Sequence, residues 1–284
     1  MPLDQEINDP AAEAAKAGLK KLRLEQGYMP MSAHLGELRK RLMRSVIWIA
    51  VFATVAYFLY DYVWSFIMGP VADLIRKSRL PDMPSVKIMT TRLGDNFAIE
   101  FKILLLAGFI LSFPFIIYEI WRFITPALSA GIRRWGSAIL IASVLLFWCG
   151  VLFARLVTWK TVADFLVFQW LPPPIVLSAT ESVRPEINLT IADYLSFFTG
   201  FHIAFGLSFQ LPVVSVLLGS IGIITSGLFL KFWRHAIVVL CLFSIVVMPP
   251  DVFAMLSLML PMMGLYFLSA LLVKLIERRK ESVP

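Results

Sequence analysis

Long apolar runs constrain this chain more than any other feature of its sequence. Six of them are separated by polar or proline-containing segments, at residues 43–68, 103–124, 136–157, 194–223, 236–248 and 252–273. A helix needs about 20 apolar residues to cross the hydrocarbon core of a bilayer. Lipid offers no hydrogen-bond partner to backbone N–H and C=O groups, so each run is expected to be helical. The sequence therefore predicts an all-α integral membrane protein with six transmembrane helices.

The composition argues against an ordinary soluble domain. Hydrophobic residues make up 59% of the chain and charged residues 16%, against about 45–50% and about 25% in soluble proteins. The net charge of +7 is compatible with nucleic-acid binding, but the sequence has no basic stripe interleaved with aromatic residues and no nucleic-acid-binding motif. Lysines and arginines instead flank the apolar runs, where they set orientation. We therefore expect no nucleic-acid partner.

Charge also predicts the orientation and extent of the membrane domain. If both termini are cytoplasmic, the cytoplasmic ends of the runs carry more Lys and Arg than the opposite ends, as the positive-inside rule requires. Residues 31–274 then form the six-span membrane domain, and residues 1–30 and 275–284 form polar cytoplasmic tails. The first of these tails lacks the apolar core of a cleavable signal peptide.

The fifth run is short, and Pro249-Pro250-Asp251 separates it from the sixth. Because proline cannot donate a backbone hydrogen bond, the two runs are predicted to form a hairpin of short helices. The alternative is one long kinked helix that places Asp251 in lipid, which costs free energy.

Motifs for catalysis are absent from the sequence. It has no H-E-x-x-H, G-x-S-x-G or P-loop pattern and no paired carboxylates at catalytic spacing. The histidines, His34, His202 and His235, are far apart, which favours packing residues over metal ligands. We expect no enzymatic activity, no cofactor and no metal.

Three polar side chains in or beside the apolar runs are candidate functional groups, because such groups are expensive in lipid. They are Gln210, Glu119 and Asp251. A structural role is open for each of them. Gln210 can hydrogen-bond a neighbouring helix, Asp251 can cap the sixth helix, and Glu119 can pair with Arg122.

Several short segments, taken together, are specific in order and spacing. They are HLGELRKRL at 34–42, GP at 69–70, SFP at 112–114, YEIWRFITPAL at 118–128, DYLSF at 193–197, AFGLSFQLP at 204–212, MPPD at 248–251 and LPMMGLY at 260–266. In this arrangement the chain, from about residue 33 to 277, resembles the TatC family, the polytopic subunit of the twin-arginine protein translocase.

The resemblance implies a fold and a function. The fold is a glove-shaped bundle of six spans in a prokaryotic cytoplasmic membrane, with the last two spans short. The function is recognition of the twin-arginine signal peptides of folded proteins, with export driven by the proton motive force. The implied partners are TatA-type and TatB-type single-span proteins, further copies of the chain in a receptor complex, and membrane lipids.

The resemblance also assigns residues. The signal-peptide-binding set is Glu37, Leu38, Arg39, Glu119, Phe123 and Arg133. The structural or partner-interface set is His34, Leu35, Pro70, Phe97, Lys102, Gln210, Pro212, Pro250 and Asp251. Glu37 matches the acid that helps to bind the arginine pair, and a carboxylate binds guanidinium bidentately.

Two departures from the family pattern bear on function. Ile132 stands where the family usually has an acid before Arg133, and Gln210 stands where it often has glutamate. We hypothesise that Glu37 and Glu119 together replace the usual acidic pair; alternatively, Glu119 only neutralises Arg122 or packs in the bundle. A diverged paralogue with altered or lost peptide binding is the second interpretation. A secondary transporter is the third, but it predicts internal repeats that the two halves do not show.

Overall fold

The computed structural model describes residues 31–78, 86–90, 94–128, 130–165, 175–178, 181–183, 187–247 and 252–281. The chain divides into two compact units, Met1–Arg44 and Ser45–Pro284. In the smaller unit, the described residues from Met31 onward are helical, and the helix continues to Phe58.

Six helical stretches are long and apolar enough to cross a membrane, and they confirm the six predicted spans. In chain order they are His34–Phe58, Asp95–Ile124, Gly136–Asp164, Ile191–Ile221, Ser226–Val247 and Met255–Arg278. The fifth and sixth, with 22 and 24 residues, are the shortest. The sixth lies in a longer helix, Val252–Glu281.

The first apolar run is divided between two helices. The first span ends at Phe58, and the backbone turns at Leu59 before a second helix, Tyr60–Ser78, begins. This interspan helix buries Ile67, Pro70, Val71 and Leu74. The run at 43–68 is therefore longer than the span because its later residues pack against protein.

Aromatic side chains fill the core of the larger unit. The largest fully buried side chains include Trp159, Phe147, Phe198, Phe201 and Phe205. Glycines let the third and fourth spans approach closely. A Cβ on Gly206 would lie 2.6 Å from the Phe147 ring, and one on Gly150 would lie 2.8 Å from the backbone oxygen of Phe205.

The first and second spans cross at Gly108. A Cβ there would lie 2.8 Å from both the Ala53 nitrogen and the Ile49 oxygen. Close to this crossing, Trp48 stacks on Phe115 with a ring-centroid distance of 4.4 Å. Backbone therefore meets backbone at this point, as small residues permit between membrane helices.

The fifth and sixth spans form the predicted hairpin. The Tyr266 hydroxyl donates to the Phe229 oxygen over 2.8 Å, and the Ser226 backbone N–H donates to Glu277 over 2.9 Å. The fifth helix begins at Ser226, ten residues before the apolar run, and has non-helical torsions at Phe232. Helix formation thus extends beyond the apolar run.

Short strands occupy the segments between spans one and two and between spans three and four. They are β1 (Val86–Met89), β2 (Ile175–Ser178), β3 (Glu181–Val183) and β4 (Ile187–Thr190). Strand β1 pairs in parallel with β4, from Val86↔Ile187 to Met89↔Thr190, and β2 pairs antiparallel with β3. We call the end of the bundle that carries these strands the interspan side.

Candidate functional site

The acidic residue of the amino-terminal motif lies on a helix and is held by a neighbour one turn away. Arg41 Nε donates to Glu37 Oε1 over 3.1 Å, and the Arg41 Nη2 donates to the same oxygen. Side-chain exposure is 12% for Arg41 and 28% for Glu37. The carboxylate is therefore oriented by an arginine and partly reachable by solvent.

An apolar stripe lies on the same turns of this helix. Leu35, Leu38 and Leu42 are 62%, 45% and 63% exposed, and their i, i+3, i+7 spacing places them on one face. His34 and Arg39 are exposed as well. A carboxylate and an exposed apolar stripe thus occur together within two helical turns.

The end of the second span carries the other predicted peptide-binding residues. Glu119 is only 6% exposed, whereas Phe123 is half-buried and Arg133 is exposed. Arg133 Nη2 donates to the Leu128 oxygen over 3.3 Å, which ties the short helix containing Ile132 to the preceding turn. The structure therefore buries Glu119 and places Phe123 and Arg133 nearer to the surface.

Gln210 connects the third and fourth spans. Its side-chain Nε2 donates to the Ser143 backbone oxygen over 3.0 Å, and the Ser143 hydroxyl donates to its Oε1. The hydrogen bond to a neighbouring helix that the sequence offered as one role for Gln210 is confirmed. Regular helix is interrupted at Phe209 and Gln210, and Pro212 lies in the first turn of the helix that follows.

Three predicted structural residues lie at or near the interspan side. Phe97 is 76% exposed and stacks on Phe101. Lys102 Nζ donates to the Ser196 hydroxyl over 2.7 Å and so joins the second and fourth spans. Pro70 is buried in the interspan helix. The other two predicted residues, Pro250 and Asp251, lie outside the described residues.

The sequence analysis did not predict that the polar side chains of His202 and Trp159 lie close together in the core. The ring of His202 stacks on Phe198 at 3.8 Å, and its Nδ1–H donates to the Phe198 oxygen over 2.7 Å. Its Nε2 and the Nε1 of Trp159 are buried with no hydrogen-bond partner among the described residues. No sequence signal linked these residues, because each looks like an isolated polar atom in an apolar segment. His202 packs within the aromatic core.

Comparison with known proteins places these features in one family. The sequence profile described as "Sec-independent protein translocase protein (TatC)" matches residues 33–261. The chain is 31% identical to TatC of Aquifex aeolicus over 255 residues, 90% of this chain and 99% of that protein. It is 33% identical to TatC of Escherichia coli K12 over 239 residues, 84% of this chain and 85% of that protein.

Solved structures agree with the sequence relatives. A crystal structure of the twin arginine translocase receptor TatC matches with a TM-score of 0.68 and 31% identity, over 85% of this chain and 98% of that one. A second crystal structure of the receptor, in DDM, matches with a TM-score of 0.69 and 31% identity, over 85% and 99% of the two chains.

Proposed function

Because the chain belongs to the TatC family of Sec-independent protein translocase proteins, we propose that it is the receptor subunit of its translocase. In this role it binds the twin-arginine signal peptides of folded proteins. The observation that carries the proposal is the pairing of a half-buried carboxylate, Glu37, with an exposed apolar stripe on one helix.

The chemistry of a twin-arginine signal matches these two features. A guanidinium is planar and binds a carboxylate through two parallel hydrogen bonds, which an ammonium cannot do. Glu37 is already turned toward a guanidinium, that of Arg41. A carboxylate has about four acceptor positions, so a peptide arginine can bind beside Arg41 or replace it. The exposed leucines offer apolar contact for the rest of the signal.

The second arginine of the signal needs a second counter-charge. Ile132 cannot supply it, and Glu119 is the acid near the end of the second span. Its carboxylate is 6% exposed, so we propose that Glu119 takes part only if the signal peptide reaches into the bundle or the side chain turns outward. The test is a double-mutant cycle between Glu119→Gln and a twin-lysine peptide. Coupling of at least about 0.5 kcal/mol supports the contact, and strict additivity refutes it.

The partner and topology proposals follow from charge and from the fourth span. We place both termini in the cytoplasm, because the ends of the spans on that side then carry more Lys and Arg than the opposite ends. We propose that the single-span TatA-type and TatB-type proteins bind near Gln210, whose hydrogen bonds to Ser143 show that a polar group is buried there. Further copies of the chain complete the receptor complex, and the proton motive force drives export.

Binding of a fluorescent signal peptide to the full chain in lipid nanodiscs tests the receptor role. Loss of one charge-assisted pair costs roughly 1.5–3 kcal/mol, so Glu37→Gln should weaken binding by roughly 10-fold to 150-fold. Glu100→Gln, a neutralisation at an exposed acid where the second span begins, is the matched control and should bind normally. A Glu37→Gln variant that binds the arginine peptide as tightly as the parent chain would contradict the proposal.

Loss of the usual acid at Ile132 supports a second candidate, a diverged paralogue with altered or lost signal binding. Complementation separates the two. A strain without its own TatC, supplied with this chain and cognate partners, should export a folded twin-arginine reporter. If export fails while the protein is inserted and stable, and Ile132→Glu restores it, the paralogue interpretation is correct.

A further inference from the structure

A proline in the interspan helix leaves a backbone carbonyl without its helical donor. In an α-helix each N–H donates to the carbonyl four residues earlier, and proline has no N–H. Pro70 therefore cannot donate to the Phe66 oxygen. Arg155, in the third span, supplies the missing donor through Nε at 3.4 Å. The next carbonyl, that of Ile67, accepts from the Tyr194 hydroxyl over 2.6 Å.

These contacts fix the guanidinium of Arg155. Its central carbon lies 5.2 Å from the centroid of the Phe66 ring, within the range of a cation–π contact. A Cβ added at Gly69 would lie 3.4 Å from Nη2, so the backbone passes close to one end of the group. With Nε bonded to a carbonyl, the two Nη atoms retain their N–H donors.

The charge of Arg155 is not neutralised by the described part of the chain. No carboxylate among the described residues forms an ion pair with it. Asp164, an acid near the same end of the third span, already pairs with Lys77. A half-buried cation without a counter-ion is costly. The guanidinium therefore attracts an anion from outside these residues.

The depth of Arg155 identifies that anion. Nineteen residues separate it from Gly136, where the third span begins, and at 1.5 Å per residue this is roughly 29 Å. The hydrocarbon core of a bilayer is about 30 Å thick. With Gly136 at one boundary of this core, Arg155 lies at the opposite boundary, within reach of the lipid phosphates. The two residues that follow, Leu156 and Val157, are apolar and 69% and 56% exposed, as expected of side chains next to lipid.

We propose that Arg155 binds the phosphate of a membrane phospholipid through its two Nη groups. The orphaned Phe66 carbonyl and the Phe66 ring hold the guanidinium in place, so the phosphate meets an ordered fork of donors rather than a flexible side chain. The lipid then braces the interspan helix against the third span. This inference does not depend on the signal-peptide role.

Lipid binding to the purified full chain tests the proposal. Native mass spectrometry of detergent-purified protein would count bound phosphatidylglycerol across a titration. Arg155→Gln should weaken the tightest binding event at least about 10-fold, since about 1.4 kcal/mol or more is lost with a charge-assisted pair. The lipid affinity of Arg155→Lys should lie between those of Arg155→Gln and the parent chain, because an ammonium keeps the charge but lacks the planar pair of donors. Lys160→Gln, which removes an exposed cation five residues later, is the matched control and should bind as the parent chain does.

Two further arms identify the ligand chemistry. Diacylglycerol, which has no phosphate, should show no dependence on Arg155. Millimolar inorganic phosphate should neither displace the lipid nor raise the unfolding temperature through Arg155. If inorganic phosphate does both, the site is for a free anion and the lipid assignment is wrong.

For each variant, the unfolding temperature is measured with and without lipid. The difference between the two values then reports binding separately from any loss of stability. Equal binding of phosphatidylglycerol by Arg155→Gln and the parent chain would overturn the proposal. The counter-ion would then be an acid of the chain itself.

Discussion

Replacing Gly108 with alanine should loosen the contact between the first and second spans. The added Cβ would lie 2.8 Å from the Ala53 nitrogen, 2.8 Å from the Ile49 oxygen and 2.9 Å from the Ala53 Cα. All three are backbone atoms, which cannot rotate away as a side chain can, so the helices must separate. Overpacking of this kind costs about 1–3 kcal/mol. It outweighs the gain of at most about 1 kcal/mol that alanine brings to a helix.

The chain offers a matched control for the same chemical change. Gly264 lies inside the helix of the sixth span, Val252–Glu281, and a Cβ there would have no other atom within 4 Å. Gly264→Ala should therefore leave stability unchanged or raise it. Thermal unfolding in detergent, followed by circular dichroism, gives both values, and each kcal/mol corresponds to roughly 2–4 °C in a chain of similar size. If Gly108→Ala unfolds at the same temperature as Gly264→Ala, or higher, the close crossing does not exist as described.

Three other predictions test separate parts of the molecule. Gln210→Leu should lower stability by roughly 0.6–1.7 kcal/mol in thermal unfolding, and in a cycle with Ser143→Ala the two losses should not add. Lys77→Glu and Asp164→Lys should each destabilise the chain slightly and the double reversal should recover most of the loss, with a coupling of about 0.2–1 kcal/mol; no recovery would mean that the pair is not formed. A single cysteine replacing Gly131, in a chain without its native cysteines, should react with an impermeant thiol reagent only after cells are opened. Labelling in intact cells would reverse the proposed topology.

The number of spans and the final hairpin were predictable from the sequence because the bilayer imposes a length on apolar runs. The break before Asp251 followed from the two prolines, and the helices on either side of it end at Val247 and begin at Val252. Gln210 was recognised as a buried polar group in need of a partner. Its partner, Ser143, was not, because serine occurs in many apolar runs and the sequence does not show which spans face each other.

Other features of the structure could not be predicted, because they depend on contacts between residues that are far apart in the sequence. The run at 43–68 gave no sign of a turn at Leu59, since residues packed on protein are as apolar as those facing lipid. The fifth helix begins in a segment with charged residues such as Lys231 and Arg234, which a hydropathy window places outside the span. The roles of Arg155 and Tyr194 depended on knowing that the turn before Pro70 lies beside them. Peptide-binding residues were assigned by resemblance, and their roles stay predictions.

The parallel pairing of β1 with β4 has a consequence for the order of assembly. Parallel neighbours always need a long crossover, and here the crossover from Met89 to Ile187 contains the entire second and third spans. Strand β1 therefore has no partner until the third span has inserted and β4 has been synthesised. Until then its edge is open to incorrect pairing. The ladder links the segment after the first span to the segment before the fourth, and both of its strands precede the last two spans in the chain.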